Sequence, residues 1–321
     1  MDMRSKLHLS LIAVAALSCG GGGTGNKVID GPYTHYVINS FNLPVNTSQA
    51  NAWSFNLDGA HDGAPENQLG QMMAALYQQG MPVQDNINVA ATEGHLAILL
   101  SLRTNDTTFM NDDSVSMQVY IGADHASPAP LFDGTDTFSI KSDAPMDALL
   151  EGSLAGGGFL GGPDKMSIQL MFVDAAHPIT LNLIGAKLSA DMTATGCTNG
   201  IIGGAVLKTD VETTIVPAIA DMINASIAAD PTSDNSQKSL DLFDTNNNGI
   251  ITTEELLGTS IIQTILNADV DLVIDSTCHT VGDHTECTVD PGNDGIKDSV
   301  SLGVGFTCVR ANFTSSVETA I

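Results

Sequence analysis

Apolar and polar residues alternate along several stretches of the chain, and this two-residue period predicts β-strands. The predicted strands lie at residues 33–42, 95–103, 114–121, 137–141, 167–173, 179–192 and 299–313. Turn-forming segments rich in glycine and proline separate them, for example at residues 156–163. The sequence therefore predicts several strands joined by loops, the last of which returns to the sheet.

Other stretches repeat apolar residues every three to four positions, which is the period of a helix with one buried side. The first, at residues 69–76, predicts a helix that begins near Asn67 and ends at Gly80. Residues 82–93 predict a second short helix, and residues 210–229 predict a longer one that its proline would kink or delay. Together these elements predict an α+β fold, namely an antiparallel β-sandwich or barrel-like sheet with helical insertions.

The charge balance narrows the range of functions. Of the 321 residues, 37 are acidic and 11 are basic, which gives a formal net charge of −26. We therefore expect no nucleic-acid partner, because a phosphate backbone needs a basic protein surface. The acids are 29 Asp and 8 Glu, and Asp is common in turns and calcium-binding loops whereas Glu is common in helices. The composition predicts a loop-rich and strand-rich protein with calcium loops.

The first residues have the layout of an export signal. Two basic residues precede an apolar run at residues 7–17, which is too short to cross a bilayer as a permanent helix. Ala16-Leu17-Ser18-Cys19 and four glycines follow, and this order resembles the cleavage and lipidation site of bacterial lipoproteins. The resemblance implies a signal peptide at 1–18, an acylated Cys19 with a flexible tether at 19–27, and an outer-membrane or cell-surface location. A plain secreted protein cut near Ser18 is the alternative.

Four further cysteines agree with export to an oxidising compartment. Cys278 and Cys287 flank a polar stretch that predicts a hairpin, so we expect them to form a disulfide. This leaves Cys197 to pair with Cys308. Zinc is the alternative, because Cys278, His279, His284 and Cys287 are ligand types within ten residues of one another.

Residues 244–255 carry the most specific pattern in the chain. Oxygen-bearing groups stand at the first, third, fifth, seventh, ninth and twelfth positions of this segment, as Asp244, Asn246, Asn248, the backbone carbonyl of Ile250, Thr252 and Glu255. Gly249 stands at the sixth position, where a calcium-binding loop turns sharply. The segment resembles the twelve-residue loop of the EF-hand family, which implies a Ca²⁺ site and a helix–loop–helix at residues 233–268. The alternative is an Asn-Gly turn that precedes a helix.

The residues on either side of this loop support the resemblance. Residues 239–243 predict a short incoming helix, and Thr252 with Glu255 forms a capping box for the outgoing helix. Leu257, Ile261 and Ile265 predict the buried stripe of that outgoing helix. Because only two of the proposed ligands are anionic, we expect a dissociation constant on the order of 0.1 to 1 mM. No second loop lies beside the first, so a calcium-sensor role is not expected.

Two other acidic segments resemble calcium-binding loops more weakly. Asp290, Asp294 and Asp298 are spaced like the short Asp-rich calcium repeats of secreted proteins and could form a second metal site, although a simple turn explains them as well. Residues 58–66 fit a calcium loop less well, and a cap for the helix that begins near Asn67 explains them equally.

The order of these parts resembles uncharacterised calcium-motif lipoproteins of Gram-negative bacteria. The resemblance rests on Cys19-Gly20-Gly21, Glu66-Asn67-Gln68-Leu69-Gly70, the calcium loop and residues 299–306. We expect a β-rich domain at 28–232, then the helix–loop–helix at 233–268, and then a disulfide hairpin with C-terminal strands at 269–321 that pack on the β-rich domain. The resemblance implies no enzymatic activity.

No catalytic motif is recognisable, because the sequence has no nucleophile elbow, metalloprotease helix or phosphate-binding glycine loop. We therefore expect a calcium-binding, membrane-anchored lipoprotein with a structural or interaction role and no catalytic residues. The first alternative is an adhesive or glycan-binding β-sandwich, which would need an exposed aromatic platform. The second is a secreted hydrolase, which would need a deep pocket lined by histidines and acids.

Overall fold

A computed structural model describes residues 29–58, 65–81, 83–125, 128–145, 148–171, 178–272, 276–281, 284–289 and 297–314. For residues 265, 276–281 and 284–289 only the backbone is described. The predicted signal peptide at 1–18, Cys19 and the tether that ends at residue 27 lie outside the described residues.

Twelve strands are present in the described residues: β1 Tyr33–Asn42, β2 Ile98–Arg103, β3 Asn111–Ile121, β4 Thr137–Phe138, β5 Leu149–Ala155, β6 Gly158–Leu170, β7 Ile179–Thr193, β8 Gly196–Leu207, β9 Ser276–Val281, β10 His284–Val289, β11 Ser299–Arg310 and β12 Asn312–Phe313. Eight of them form one antiparallel sheet in the order β1-β11-β8-β7-β6-β5-β3-β2. Strand β2 also pairs with β1, so the pairing is cyclic and each of the eight strands has two hydrogen-bonded neighbours. The protein is therefore a mixed α and β protein built on a large antiparallel sheet.

The helices of the described residues are α1 Thr47–Ala52, α2 Gln68–Gln78, α3 Val83–Glu93, α4 Lys208–Asp210, α5 Val216–Ala229, α6 Asp234–Phe243, α7 Thr253–Leu257 and α8 Ser260–Ile265. The predicted helices near residues 67–80, 82–93 and 210–229 are confirmed. A π-helical turn, Val211–Ile215, joins α4 to α5 just before Pro217. Pro217 has no N–H to donate to the preceding turn, and a π-turn is one way for a helix to absorb that loss.

Apolar residues on one face of the sheet strands join the helices in a single large core. In β11 the residues Val300, Leu302, Val304 and Phe306 are buried in this core, as the two-residue period predicts. The buried sides of α2 and α5 belong to the same cluster. A smaller cluster that includes Leu99, Tyr120 and Phe138 covers the opposite face of β1, β2 and β3. The sheet thus carries buried side chains on both faces.

Asn67 fixes helix α2 to strand β11 at the point where β1 ends. The last pair between β1 and β11 joins Asn42 to Gly305. Two residues further along, the Asn67 side chain accepts a hydrogen bond from the Gly303 N–H (2.7 Å) and donates one to the Gly303 carbonyl (2.9 Å). Asn67 also accepts a bond from the Gly70 N–H (3.0 Å), which makes it the N-cap of α2. One side chain thereby continues the strand pairing and starts the helix.

Glycine explains most of the disagreement between the predicted and the observed strands. Strands β5 and β8 were not predicted, and β6 begins at Gly158, inside the segment 156–163 that was predicted to be a loop. Glycine is uncommon in strands because it offers no side chain to pack. Here it is needed: a side chain at Gly203 would collide with the ring of Phe55, and one at Gly152 would collide with the backbone of Leu160. Close packing therefore made these strands look like loops in the sequence.

The prediction of one long helix after the loop was wrong. The helix stops at Gly258 and a new one starts with Thr259 as its N-cap, whose hydroxyl accepts a bond from the Ile262 N–H. The break shifts the buried side, so that Leu256 and Ile262 are 1% exposed whereas Leu257 and Ile261 are only partly buried.

The cysteines fall into one described pair and one hairpin. Cys197 and Cys308 lie opposite each other in β8 and β11, and their sulfur atoms are 2.15 Å apart, close enough to be bonded. Strands β9 and β10 form the predicted hairpin, in which Cys278 lies opposite Cys287. The side chains of this hairpin lie outside the described residues, and so do the disulfide and the zinc alternative predicted there.

Candidate functional site

The segment 244–255 connects helices α6 and α7, and its two ends are held in the core. Phe243 ends α6 and is 2% exposed, Ile251 is 1% exposed, and Leu256 in α7 is 1% exposed. All three belong to the large core cluster, together with the apolar side of α5. We call residues 244–255 the loop. Its ends are fixed by apolar packing, which leaves its polar residues between the two helices.

Asp244 folds the first half of the loop around its own carboxylate. The side chain is 9% exposed, and it accepts hydrogen bonds from the N–H groups of Asn248 (3.1 Å) and Gly249 (2.7 Å). The turn requires positive φ angles of 57° at Asn247 and 82° at Gly249. Such angles suit glycine and, less often, asparagine. A side chain at Gly249 would meet nothing within 4 Å, so the φ angle and not the available space favours glycine here.

Glu255 reaches back to the same part of the loop from its other end. One carboxylate oxygen, Oε1, accepts bonds from the Thr245 hydroxyl (3.0 Å) and the Asn246 N–H (3.1 Å). The other, Oε2, accepts bonds from the Thr252 N–H (3.0 Å) and hydroxyl (3.1 Å). With the Thr252 hydroxyl accepting from the Glu255 N–H, these bonds form the predicted capping box. Asp244 and Glu255 therefore both hold residues 245–249, one from each side.

The hydrogen bonds to Glu255 keep it ionised well into the acidic pH range. The N–H of Thr252 is the largest cause, and together with the donors on Thr245 and Asn246 it lowers the pKa of Glu255 from 4.5 to about 2. A carboxylate that is already ionised can bind a cation without first releasing a proton. The end of the loop thus carries a negative charge at neutral and mildly acidic pH.

The other predicted ligands differ in their surroundings. The Asn248 side chain accepts a bond from the Ile250 N–H (2.8 Å), which keeps its oxygen inside the turn. The Ile250 side chain is 58% exposed, and Asn246 is exposed. The donor set of the loop consists of carboxylate, amide, hydroxyl and backbone carbonyl oxygens, which suits a hard cation such as Ca²⁺ and not Zn²⁺.

Across the described part of the chain, no three His, Cys, Asp or Glu side chains converge in a way that could hold a metal ion. Of the three carboxylates in the loop, Asp244 and Glu255 stand at proposed ligand positions, and Glu254 is exposed. Any cation held here would depend on neutral oxygens for the rest of its shell, which weakens the binding expected of the site.

A cavity of about 460 Å³ lies beside the loop between α6 and the two helices that follow it. Its walls include Phe243, Thr245 and Glu255 from the loop region, with Leu242 and Ile261 on the flanking helices. Its lining in the described residues contains no histidine. The cavity gives solvent and ions access to the side of Glu255.

Asn224 is a residue of the site that the sequence did not predict. It lies on α5, and its amide donates to the Ile251 carbonyl (2.7 Å) and accepts from the Ile251 N–H (2.9 Å). Ile251 is the eighth residue of the loop. The available signal in the sequence was an asparagine within an apolar helix, where its side chain competes with the backbone and is unfavourable without a specific partner.

The weaker acidic segments are described only in part. Asp290 and Asp294 lie outside the described residues, and Asp298 accepts a bond from the Ser299 hydroxyl (2.9 Å) at the start of β11. At the ends of the segment 58–66, Asp58 is 4% exposed, and Glu66 accepts a bond from the Leu57 N–H (3.0 Å). These contacts are local, and no metal-binding group comes together in the described residues of either segment.

Aromatic side chains that could form a binding platform are largely engaged in packing. Trp53 is half-buried, and its ring lies so close to Gly305 that a side chain there would collide with it. His35 stacks on Phe313 with ring centres 4.3 Å apart, and His125 contacts Phe138 at 4.8 Å. The two histidine contacts join these rings to phenylalanines of the smaller cluster.

Comparison with protein families, with curated proteins and with solved structures finds no match for the chain. Among the described residues, no helix is both long enough and apolar enough to cross a membrane. The site must therefore be interpreted from its own residues.

Proposed function

We propose that the protein is a calcium-binding, membrane-anchored lipoprotein outside the cytoplasm, in which the metal stabilises the fold and supports a structural or interaction role. One observation carries the proposal: Asp244 and Glu255 hold the same short stretch of the loop from its two ends. The ligands would be Asp244, Asn246, Asn248, the carbonyl of Ile250, Thr252 and Glu255. We also propose that α6, the loop and α7 form an EF-hand, and that the closed sheet is barrel-like.

The bound cation would relieve a charge problem that the loop creates. The carboxylates of Asp244 and Glu255 both bind residues 245–249, in a protein with a net charge of −26. A divalent cation offsets their mutual repulsion and links the end of α6 to the start of α7. Both helices contact α5, which is packed in the core. Calcium binding to the folded protein alone therefore stabilises the core as well as the loop.

The membrane anchor and the oxidised cysteines complete the proposal. The resemblance of residues 1–19 to a lipoprotein signal supports an acyl chain on Cys19, and the Cys197–Cys308 pair is consistent with an oxidising compartment. Mass spectrometry of the membrane fraction should find the acyl group on Cys19, and Cys19→Ser should release the protein from membranes. An unacylated Cys19 in the wild-type protein would refute the anchor.

Calcium titration of the full chain tests the metal site. At about 10 mM calcium, a dissociation constant of about 0.1 to 1 mM corresponds to roughly 1 to 3 kcal/mol of stabilisation, or a few degrees in melting temperature. Glu255→Gln should abolish this shift. Glu254→Gln is the matched control, because Glu254 is exposed and its position is not a ligand position. Identical wild-type melting curves in calcium and in chelator would remove the proposal.

A further inference from the structure

The carbonyl of Ile250 can act as a ligand only if it faces the inside of the loop, and the Asn224 side chain contacts the peptide group to which this carbonyl belongs. The N–H of Ile251 belongs to the same peptide group as the Ile250 carbonyl. This N–H donates to the Asn224 side-chain oxygen over 2.9 Å. In a trans peptide the N–H and the C=O point in opposite directions. The hydrogen bond therefore turns the Ile250 carbonyl away from α5.

The second bond of Asn224 fixes the next peptide group. Its amide nitrogen donates to the Ile251 carbonyl over 2.7 Å. A side-chain amide offers one acceptor and two donors, so it can pair with both backbone groups of a residue, as a neighbouring strand would. The Ile251 side chain is 1% exposed and lies in the core, where backbone groups need partners. The Asn224 side chain thus gives both backbone groups of Ile251 a hydrogen-bond partner.

Asn224 is itself held independently of the loop. It is half-buried on α5, whose residues Ile219, Ile223 and Ile227 belong to the large core cluster. Helix α5 also packs against α6 and α7 on the two sides of the loop. Helix α5 therefore holds the Asn224 amide in place, and the backbone of Ile251 is positioned against it.

We infer that Asn224 is a positioning residue of the calcium loop, which orients the Ile250 carbonyl toward the cation by holding both backbone groups of Ile251. The inference rests on the proposed function, because it concerns the same loop. It assigns to α5 a part in binding: calcium affinity depends on a helix that contributes no ligand. Asn224 does not touch the cation and acts only through the backbone.

Asn224→Leu tests this inference, because leucine has nearly the same size and makes neither bond. We expect its calcium dissociation constant, measured by isothermal titration, to be about tenfold weaker than that of the wild-type protein. Asn235→Leu is the matched control: Asn235 is exposed and donates to the Gly80 carbonyl (3.2 Å), outside the loop. This control should bind calcium like the wild-type protein.

A structural role alone would lower the melting temperature of Asn224→Leu in chelator and leave its calcium affinity unchanged, which would overturn the inference and spare the proposed function. Failure of the wild-type protein to bind calcium would remove both. Should Asn224→Leu not fold, amide hydrogen exchange of the wild-type protein in chelator decides: the Ile251 N–H should exchange at least tenfold more slowly than an unprotected amide, because its bond to Asn224 does not need the cation. Exchange in chelator at the unprotected rate would refute the inference.

Discussion

Two asparagines of this protein hold a backbone in the same way, but in different settings. Asn67 pairs with both backbone groups of Gly303 in the sheet, and Asn224 pairs with both backbone groups of Ile251 in the loop. Gly303 lies in a strand whose conformation is fixed by β8 along its length. Ile251 lies in a segment without strand neighbours among the described residues. The first asparagine should therefore affect stability alone, and the second should also affect what the loop can bind.

Asn67→Leu should have the largest effect of the changes considered. Asn67 is 3% exposed and bonds to the carbonyls of Ala50, Trp53 and Gly303 and to two N–H groups. Loss of these bonds leaves buried backbone groups without partners, and we expect the free energy of unfolding to fall by about 3 to 5 kcal/mol. Urea unfolding should give this loss equally in calcium and in chelator. A loss that appears only in calcium would contradict the comparison.

Two glycine substitutions separate crowding in the sheet from backbone strain in the loop. A side chain at Gly303 would lie 1.8 Å from the Trp53 carbonyl oxygen, so Gly303→Ala should cost about 2 to 3 kcal/mol. Gly249→Ala meets no neighbour but must adopt a φ of 82°, so it should cost about 1 kcal/mol. Gly249→Ala should also weaken calcium binding, measured by titration, whereas Gly303→Ala should not. The reverse order of affinities would refute this assignment.

An added negative charge at a ligand position should strengthen calcium binding by the loop. Asn248→Asp places a third carboxylate among the proposed ligands, and we expect calcium affinity to rise by about three- to tenfold. Asn247→Asp adds the same charge one residue away, at a position whose φ of 57° aspartate tolerates. Because Asn247 is not at a ligand position, its effect should be clearly smaller in the same titration. Equal effects of the two variants would indicate general charge attraction and no defined site.

The smallest effects concern pH, and they should differ in sign between Glu255 in the loop and Asp269 beside β11. Hydrogen bonds lower the pKa of Glu255 from 4.5 to about 2, so its contribution to stability is present above about pH 4.5 and is lost as the pH falls toward 2. Burial is the largest cause acting on Asp269 and raises its pKa, although the Ser301 hydroxyl and N–H oppose it. The folded protein favours the protonated form of Asp269. Its contribution to the free energy of unfolding therefore becomes more favourable as the pH falls through the raised pKa.

Unfolding in chelator at pH 7 and pH 3.5 checks both signs. The stability lost in Glu255→Gln should shrink on acidification, whereas wild-type stability relative to Asp269→Asn should increase. Parallel shifts of both variants would show that the two carboxylates do not differ as described.

The sequence predicted the structure correctly at positions where local chemistry alone determines the residue type. The cap at Asn67, the positive φ of Gly249 and the capping box of Thr252 and Glu255 each follow from local chemistry. Strand β8 was missed because its glycines serve distant neighbours such as Phe55. The same is true of Asn224, whose partner is 27 residues away and becomes visible only when α5 is placed beside the loop. Local rules predict local structure, and contacts between distant segments need the fold.

The cyclic pairing of the eight strands means that the sheet cannot close until β11 has been synthesised. Strand β1 near residue 33 is flanked by β2 and by β11, which begins at Ser299. During synthesis, one edge of β1 stays open until almost 270 further residues have been added. The α-helical segment that carries the loop is made before that edge is covered. Such long-range closure is slow and leaves an unpaired strand edge exposed in the meantime, so β1 should be prone to pairing with strands of other chains until β11 is made.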